Sequence, residues 1–208
     1  MKIKEPIIKK NVKTTFKDCI INNIFYNILI TNNSQKNISI DNITFDEAIF
    51  KNINFNNINL NNIEFIDVIF ENCDLSNKDL SKLIFTRVKF INCSLVGVYL
   101  NDSILQDLQI INSNCTYLNM ADAKINTVIF KDSNLCESSF MECNLQNVIF
   151  DNINLTGTDF YKTNLNNIDL SNSIINKIRI NQESLKGVIV NEEQALTLVK
   201  LLGIQIKQ

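Results

Sequence analysis

Large apolar residues recur every five positions along most of this chain. From Ile40 to Val190, all 31 positions divisible by five carry an apolar residue. A step of five residues rotates about 140° around an α-helix, so these residues would not share one helical face. An odd step also sends successive side chains to opposite faces of a straight strand. The pattern therefore predicts a chain that changes direction once per five residues around a common interior.

The remaining positions of each five-residue unit support this interpretation. Two residues before each large apolar residue, small or β-branched side chains such as Ala48, Val68 and Cys93 are frequent, as expected for a second inward site. The other three positions are rich in Asn, Asp, Ser, Lys and Glu, so the outside of the structure should be polar. A coil of this kind buries its interior only by stacking on its neighbours.

Several of the five-residue units resemble a known repeat. "CDLSN", "CSLVG", "CNLQN", "INLTG" and "TNLNN" are similar to the loose pattern A(N/D)LXX of the pentapeptide-repeat family. The resemblance implies an all-β solenoid, a right-handed quadrilateral β-helix in which about 20 residues form one coil. Residues 20 apart should then stack at about 4.8 Å. We therefore expect phenylalanine ladders, one through Phe50, Phe70 and Phe90 and another through Phe45 and Phe65.

The pattern divides the chain into three segments. Residues 40–190 form the regular β-helix, and residues 1–39 form an N-terminal segment with irregular first coils. In this first segment Phe16, Ile21 and Tyr26 fit as centres in a different phase from Ile30. We expect a phase shift between these two sets of centres. The polar residues 31–37 are expected to form a short loop that bulges from an early coil, with Gln35 outside the core. Residues 191–208 form the third segment.

This third segment has the pattern of a helix. In "NEEQALTLVKLLG", Asn191 occupies an N-cap position, Gln194 follows three residues later, and Gly203 ends the run of leucines. We expect this helix and a short following strand to cover the strand edges at the end of the solenoid. It serves either as a cap alone or as a cap and a twofold dimer contact. The expected dimer interface consists of Leu196, Leu198, Val199, Leu201, Leu202 and Ile204.

Charge is distributed unevenly along the chain. Residues 1–40 carry seven lysines and two acidic residues, whereas residues 41–190 carry 18 acidic and 11 basic residues. With a 20-residue coil, Asp102, Asp122 and Glu142 stack on one edge, between Lys82 and Lys162. Like charges at about 5 Å repel by roughly 1 kcal/mol in water, so such a row does not favour folding. It is either a solvated, solubilising face or a linear negative surface for a basic partner. The candidate acidic face consists of Asp102, Asp107, Asp122, Asp132, Glu137, Glu142, Asp151 and Asp159.

Other chemistry is not indicated. The chain has no histidine, its few glycines do not form a phosphate-binding loop, and carboxylate pairs such as Asp132 and Glu137 would lie on a convex rod with no pocket implied. We expect no enzyme, no cofactor and no metal site. Direct binding of nucleic acid is not expected either, because the long acidic face has the wrong sign.

The cysteines and the N-terminal residues indicate the cellular setting. Five of the six cysteines fall on inward positions and are expected to be buried thiols, namely Cys19, Cys73, Cys93, Cys115 and Cys143, and only Cys136 lies on an outward position. No stretch has the length and apolarity of a signal peptide or a membrane span. We therefore expect a cytoplasmic protein that does not enter a membrane.

The C-terminal segment narrows the resemblance. "LKGVIVNEEQALTLVKLLGIQI" resembles the C-terminal segment of the Qnr subgroup of pentapeptide-repeat proteins, and Ser34, Gln35 and Lys36 are similar to the first loop of some members. The resemblance implies a rod-shaped homodimer that mimics DNA, binds DNA gyrase and topoisomerase IV, and lowers sensitivity to quinolones.

Two features depart from the Qnr subgroup. The unbroken register through Cys115 leaves no room for a second, larger loop, and the rod is less acidic than a strong DNA mimic should be. The alternatives are a scaffold without a topoisomerase partner and immunity to a different gyrase poison.

Overall fold

The computed structural model describes residues 2–32, 37–201 and 203–205. Its strands are β1 (Val12–Thr14), β2 (Ile28–Thr31), β3 (Ile38–Asp41), β4 (Thr44–Lys51), β5 (Ile58–Asn61), β6 (Glu64–Glu71), β7 (Ile84–Ile91), β8 (Ile104–Ile111), β9 (Lys124–Lys131) and β10 (Asn144–Asp151). The helices are α1 (Phe16–Asn22) and α2 (Glu192–Leu201), with a 3-10 turn at Glu183–Leu185.

All the described strand pairings are parallel. Eight strands form one long sheet in the order β1-β2-β4-β6-β7-β8-β9-β10, and β3 pairs with β5 in a second sheet. From β2 onward, paired residues are 20 apart, as with Phe50 and Phe70 or Phe70 and Phe90. Isolated parallel bridges between single residues, such as Asn114 with Asn134, join the coils elsewhere. The expected all-β solenoid is confirmed and has about seven turns.

The chain turns at a residue with positive φ in most five-residue units. One coil has four such residues, Asp102, Asp107, Asn112 and Tyr117, with φ between 48° and 61°. Asn and Asp tolerate this left-handed conformation better than other residues with a Cβ, because their short polar side chains bond locally. The frequency of Asn and Asp at this position of the repeat therefore has a backbone cause.

A second Asn or Asp position in the repeat forms a different local turn. At this position the side-chain oxygen accepts a hydrogen bond from the backbone N–H two residues later, as in Asp74 with Ser76 at 3.0 Å and Asn114 with Thr116 at 3.2 Å. This is an Asx turn, which satisfies a backbone donor locally while the chain bends. It explains the N/D position of the repeat.

The phenylalanine ladders fill the interior as expected. The rings of Phe70 and Phe90 stack with centroids 4.6 Å apart, and those of Phe45 and Phe65 with centroids 5.8 Å apart. Side chains at all positions divisible by five from Ile40 to Ile175 are buried except Leu145, which is half-buried. Stacked offset rings contribute favourable energy beyond the area they bury. This core holds the outer residues on a rigid scaffold.

The N-terminal segment departs from the expectation. Phe16 is buried, but it starts helix α1, and Ile21 and Tyr26 are exposed instead of forming centres. Thr15 caps this helix by accepting the N–H of Asp18. The ring of Phe16 stacks on Phe50 at 5.7 Å, so α1 covers the first end of the interior. An exposed strand edge and core at this end favour a capping element over another coil.

The phase of the repeat is also continuous further back than expected. Phe25 is buried and packs edge-on against Phe45 at 5.5 Å, and Asn27 and Asn32 have the positive φ of the main register. The expected phase shift is therefore wrong. Of the expected loop at residues 31–37, Thr31 ends β2, and residues 33–36, which include Ser34, Gln35 and Lys36, lie outside the described residues.

The C-terminal cap forms as its sequence predicts. Asn191 N–H donates to Gln194 Oε1 at 2.9 Å, and Gln194 N–H donates to Asn191 Oδ1 at 3.0 Å, which is a reciprocal capping box. The Gln194 Nε2 group also donates to the carbonyls of Leu170 and Ser173, so it ties α2 to the last coil. No strand follows in residues 203–205, because the N–H groups of Gly203 and Ile204 bond back to the end of α2. Residues 206–208 lie outside the described residues.

Within the described part of the chain, no helix has the length and apolarity needed to cross a membrane.

Candidate interaction surfaces

The predicted row of acids exists, and we call Asp102, Asp122 and Glu142 the open corner. All three are exposed corner residues with φ between 56° and 60°. The N–H of Asp102 donates to Ala121 O and the N–H of Asp122 donates to Met141 O, both at 3.0 Å, so the corners stack coil on coil. Among the described residues no ion pair involves Asp102 or Asp122, whereas Lys162 Nζ lies 3.0 Å from Glu142. The row therefore ends at a partly neutralised carboxylate.

The candidate acidic face does not form one surface. Asp107, Asp132 and Glu137 occupy the three other corners of the coils, so their charges point in different directions around the rod. Asp132 and Glu137 are exposed, and Asp132 accepts a hydrogen bond from Asn152 at 2.8 Å. Repeated corner geometry distributes the acids around the axis instead of collecting them.

Asp151 and Asp159 are largely engaged within the chain. Asp151 lies 3.1 Å from Lys131, and this ammonium and a hydrogen bond from Asn172 lower the pKa of the Asp151 carboxyl. Asp159 accepts the N–H of Tyr161 in an Asx turn and lies 3.3 Å from Arg179. Both acids therefore offer less unbalanced charge than the sequence predicts.

The expectation that Asp107 belongs to an exposed acidic face is wrong. Its side chain is only 4% exposed, and its carboxylate accepts the backbone N–H of Lys4 at 3.1 Å. It belongs to a corner column with Glu47, Asp67 and Arg87, which we call the covered column. The N-terminal segment lies over this column, and a pattern confined to the repeats does not reveal such a contact.

The N-terminal segment of residues 2–11, which we call the cover, contacts the covered column at several points. The N–H of Ile7 donates to Asp67 Oδ1 at 2.8 Å, and Lys9 Nζ lies 2.8 Å from Glu47 Oε1. Side chains of Ile3, Pro6 and Ile8 are half-buried. The cover is thus held by backbone donors, a lysine and apolar contacts together.

Asp67 is the centre of the covered column. Arg87 binds it through two hydrogen bonds of 2.7 and 2.6 Å in the bidentate geometry of a strong ion pair. Burial acts to raise the pKa of Asp67, but the guanidinium, the N–H of Ile7 and the nearby Lys9 lower it below its ordinary value. Burial and the charges of Asp67 and Glu47 raise the pKa of the neighbouring Asp46. The column is therefore anionic and only partly compensated.

The cysteines lie where the sequence predicts. Five are buried, and Cys136 is intermediate. Burial raises the pKa of the Cys143 thiol to about 12 and that of Cys115 further above its ordinary value, so neither is a ready thiolate. Among the described residues, no group of cysteines and carboxylates could hold a metal ion.

An open recess of about 760 Å³ near Tyr161, Lys162 and Glu183 is lined mainly by polar side chains.

The expected dimer residues divide between two environments. Leu198 is buried in the chain's own core, where it anchors α2 to the last coil. Leu196, Leu201 and Ile204 are 53%, 50% and 53% exposed, and Val199 is half-buried. Leu202 lies outside the described residues. The exposed leucines leave an apolar surface at this end of the rod.

Several solved structures are similar to this chain. A trypsin-treated variant of QnrB1, a plasmid-mediated fluoroquinolone resistance protein, aligns with a TM-score of 0.55 and 19% identity over 96% of this chain and 94% of that chain. A second trypsin-treated QnrB1 variant gives a TM-score of 0.49 and 20% identity over 88% and 89% of the two chains. HetL, a pentapeptide repeat protein involved in heterocyst differentiation regulation from the cyanobacterium Nostoc sp. strain PCC 7120, gives 0.45 and 17% over 81% and 89%. At these identities the likeness concerns the fold.

Comparison of the sequence with family models gives the family. The model described as a pentapeptide repeat region matches residues 83–148 and 119–180, and the model described as pentapeptide repeats (8 copies) matches residues 48–82. No curated protein matches the sequence. The matches run from residue 48 to residue 180, over more than half of the chain, and agree with the stacked five-residue units. The protein belongs to the pentapeptide-repeat family.

Proposed function

We propose that this protein is a Qnr-like, DNA-mimicking rod that binds DNA gyrase and topoisomerase IV and reduces sensitivity to quinolones. The observation that carries the proposal is the open corner, where three carboxylates stand on successive coils of a rigid core. Their axial spacing of about 4.8 Å is of the same order as the axial rise per phosphate in one DNA strand, roughly 3.4 Å. A basic DNA-binding surface is the complementary partner.

Two further observations support a Qnr-like role. The fold aligns over nearly its whole length with a QnrB1 variant at a TM-score of 0.55. The capping box of Asn191 and Gln194 forms in the C-terminal segment that resembles the Qnr subgroup. Both observations concern the solenoid and its C-terminal cap, which would hold the acidic row in position for a partner.

The first test is gyrase supercoiling with purified protein, with and without ciprofloxacin. The proposal expects restored supercoiling in the presence of the drug. Inhibition without drug and no rescue would instead show a competitor for the DNA site that gives no protection. No effect in either arm, from protein shown to be folded by circular dichroism, would contradict topoisomerase binding.

Charge reversal on the open corner tests which surface acts. Lys82 and Lys162 occupy the same corner column with φ of 60° and 56°, so Asp102→Lys with Asp122→Lys should fold normally. The control is Asp41→Lys with Glu64→Lys, which changes net charge equally at another site. Position 64 is suited to lysine because Lys124 stands in the same column of the long sheet. We expect the corner variant to lose gyrase binding in surface plasmon resonance and the control to keep it.

The alternative function is a non-enzymatic scaffold or interaction protein without a topoisomerase partner. It is favoured by one observation, namely that Asp suits the left-handed corner conformation regardless of any partner. Under this alternative the acidic row only increases solubility. Equal gyrase binding by the corner variant and the control would remove the open corner from the mechanism.

A homodimer through α2 is part of the same proposal. Leu196 and Leu201 present exposed apolar side chains on this helix, whereas Leu198 holds it to the rod. We expect Leu196→Glu with Leu201→Glu to convert a dimer to a monomer in sedimentation velocity without unfolding the rod. A wild-type protein that sediments as a monomer at every concentration would contradict the dimer.

A further inference from the structure

The cover follows the long axis of the rod. The backbone N–H groups of Lys4 and Ile7 donate to Asp107 and Asp67. Glu5 lies 3.3 Å from Lys89, and Lys9 forms an ion pair with Glu47. Successive residues of the cover therefore contact successive coils. Asp107 and Glu47 are three coils apart, which corresponds to about 14 Å along the rod. An extended chain covers at most about 18 Å in the five steps from Lys4 to Lys9, so the segment must be nearly extended. The cover is therefore an extended segment that crosses the strands of the long sheet.

Two contacts of the cover do not depend on a particular side chain, whereas Asn11 Nδ2 donates to the carbonyls of Ile28 and Glu47. Asp107 and Asp67 accept backbone N–H groups three residues apart, which any extended segment without proline at those positions can donate. Glu47 binds an ammonium group that another lysine could supply. The Ile7 side chain is 55% exposed and contributes little. The chemistry on this face suits an extended basic segment.

The fit between the cover and this face is incomplete. Glu47 Oε2 and Gln109 Nε2 are buried without a hydrogen-bond partner among the described residues. Gln109 is only 5% exposed and stands in register beside Lys89, which contacts Glu5 of the cover. Leaving buried polar groups unpaired is unfavourable. A segment with one further donor and one further acceptor would bind this face better than the cover does.

We propose that the face of the long sheet beneath residues 2–11 is a binding site for an extended lysine- or arginine-rich protein segment. The chain's own N-terminal segment occupies this site as a removable cover. A partner segment that displaces it gains Asp46, Glu47, Asp67 and Asp107, with Gln109 as an additional donor. This inference goes beyond the proposed function, because the site lies on a different corner from Asp102 and Asp122.

The test uses the full chain with the cover released. Ile7→Pro removes the N–H that Asp67 accepts, and Lys9→Glu opposes Glu47, whereas Ile7→Ala with Lys9→Arg is the matched control that keeps both contacts. The probe is a fluorescein-labelled peptide with the sequence of residues 2–11, and its binding is measured by fluorescence anisotropy. We expect the released variant to bind the peptide about ten-fold more tightly than the control, because its site is free for a larger fraction of the time.

A second pair of substitutions checks the location. Asp107→Asn with Glu47→Gln, added to the released variant, removes two carboxylate charges and should weaken peptide binding several-fold; unchanged binding would overturn the inference. Equal peptide binding by the released variant and the control, or no binding by either, would overturn the inference. So would continued protection of the Lys4 amide in hydrogen exchange of the released variant, or an unfolded rod by circular dichroism, since the cover would then not be removable. None of these outcomes bears on gyrase binding by the open corner, which is measured separately.

Discussion

Two of the corner columns of this rod, the open corner and the covered column, carry acidic residues in different surroundings. In the open corner, Asp102 and Asp122 face solvent without an ion pair among the described residues. In the covered column, Asp67 and Asp107 are 5% and 4% exposed and accept hydrogen bonds from the N-terminal segment. Both columns occupy the same position of the repeat. An identical place in the repeat therefore does not give an acid the same role.

The difference arises from what is packed outside the coil. Carboxylates in water are screened and interact weakly with one another, whereas a carboxylate that loses water requires donors and a counter-charge. Arg87 and the N–H of Ile7 supply these to Asp67. We therefore expect the covered column to contribute to stability and the open corner to contribute little.

The largest expected effect is the loss of the counter-charge in the covered column. Arg87→Ala leaves Asp67 buried without its bidentate partner. We expect the unfolding free energy to fall by about 2–3 kcal/mol. Breaking a fully buried pair costs roughly 3–5 kcal/mol, and the cost here is smaller because the Arg87 side chain is 25% exposed. Urea unfolding measures it. The matched control on the open corner is Lys162→Ala, which we expect to leave the unfolding free energy unchanged within experimental error. Equal effects would contradict the distinction between the two columns.

Acid should detach the cover before it unfolds the rod. The pKa of Asp67 in the folded protein lies below its ordinary value of about 3.9, so its stabilising contribution is present above about pH 4 and is lost as the pH falls through the folded pKa. The raised pKa of Asp46 acts in the opposite sense. Burial and the charge of Asp67 disfavour its ionised form, so this unfavourable contribution is removed as the pH falls through the raised pKa of Asp46. We expect the Ile7 amide resonance to move upfield below about pH 4 in NMR spectra.

The control for this titration is Asp67→Asn, in which the Ile7 amide should not follow a carboxyl titration. A midpoint well above pH 4 in the unsubstituted protein would show that the cover does not stabilise the Asp67 carboxylate.

The smallest expected effect is on the open corner. Asp122→Asn removes the central charge of the row while keeping a residue that suits positive φ. We expect Tm to rise by about 1 °C because repulsion with Asp102 and Glu142 falls. The increase should be present at about 0.01 M salt and absent at about 1 M, where the Debye length is roughly 3 Å. Differential scanning calorimetry at both salt concentrations measures it, and a fall in Tm at low salt would show that this carboxylate has a stabilising partner.

The regular part of the fold is readable from sequence because its contacts repeat. Phe70 meets Phe50 and Phe90 because each lies one coil away, so one period predicts many contacts. The capping box of Asn191 and Gln194 is local to four residues and is equally readable. Such features need no knowledge of the remaining structure.

The candidate site was only partly predictable. Stacking of Asp102, Asp122 and Glu142 follows from the coil length, but the repeat pattern does not show that Lys162 lies within 3.0 Å of Glu142 or that Arg179 lies 3.3 Å from Asp159. The opposite net charges of residues 1–40 and 41–190 were the available sign that the N-terminal segment binds the rod. The opposite charges indicate that the two segments attract each other, but they do not indicate where on the rod the N-terminal segment lies.

The five-residue period, the phenylalanine core, the acidic corners and the C-terminal cap can be read from the sequence, since each rests on spacing within one or two coils. Three other features are visible only in the folded chain: α1 replaces a first coil around Phe16, Asp107 is buried, and residues 2–11 cover the long sheet. The cause is the long range of these contacts along the chain. Lys4 and Asp107 are 103 residues apart, and Ile7 and Asp67 are 60 apart, so no repeating pattern encodes their meeting.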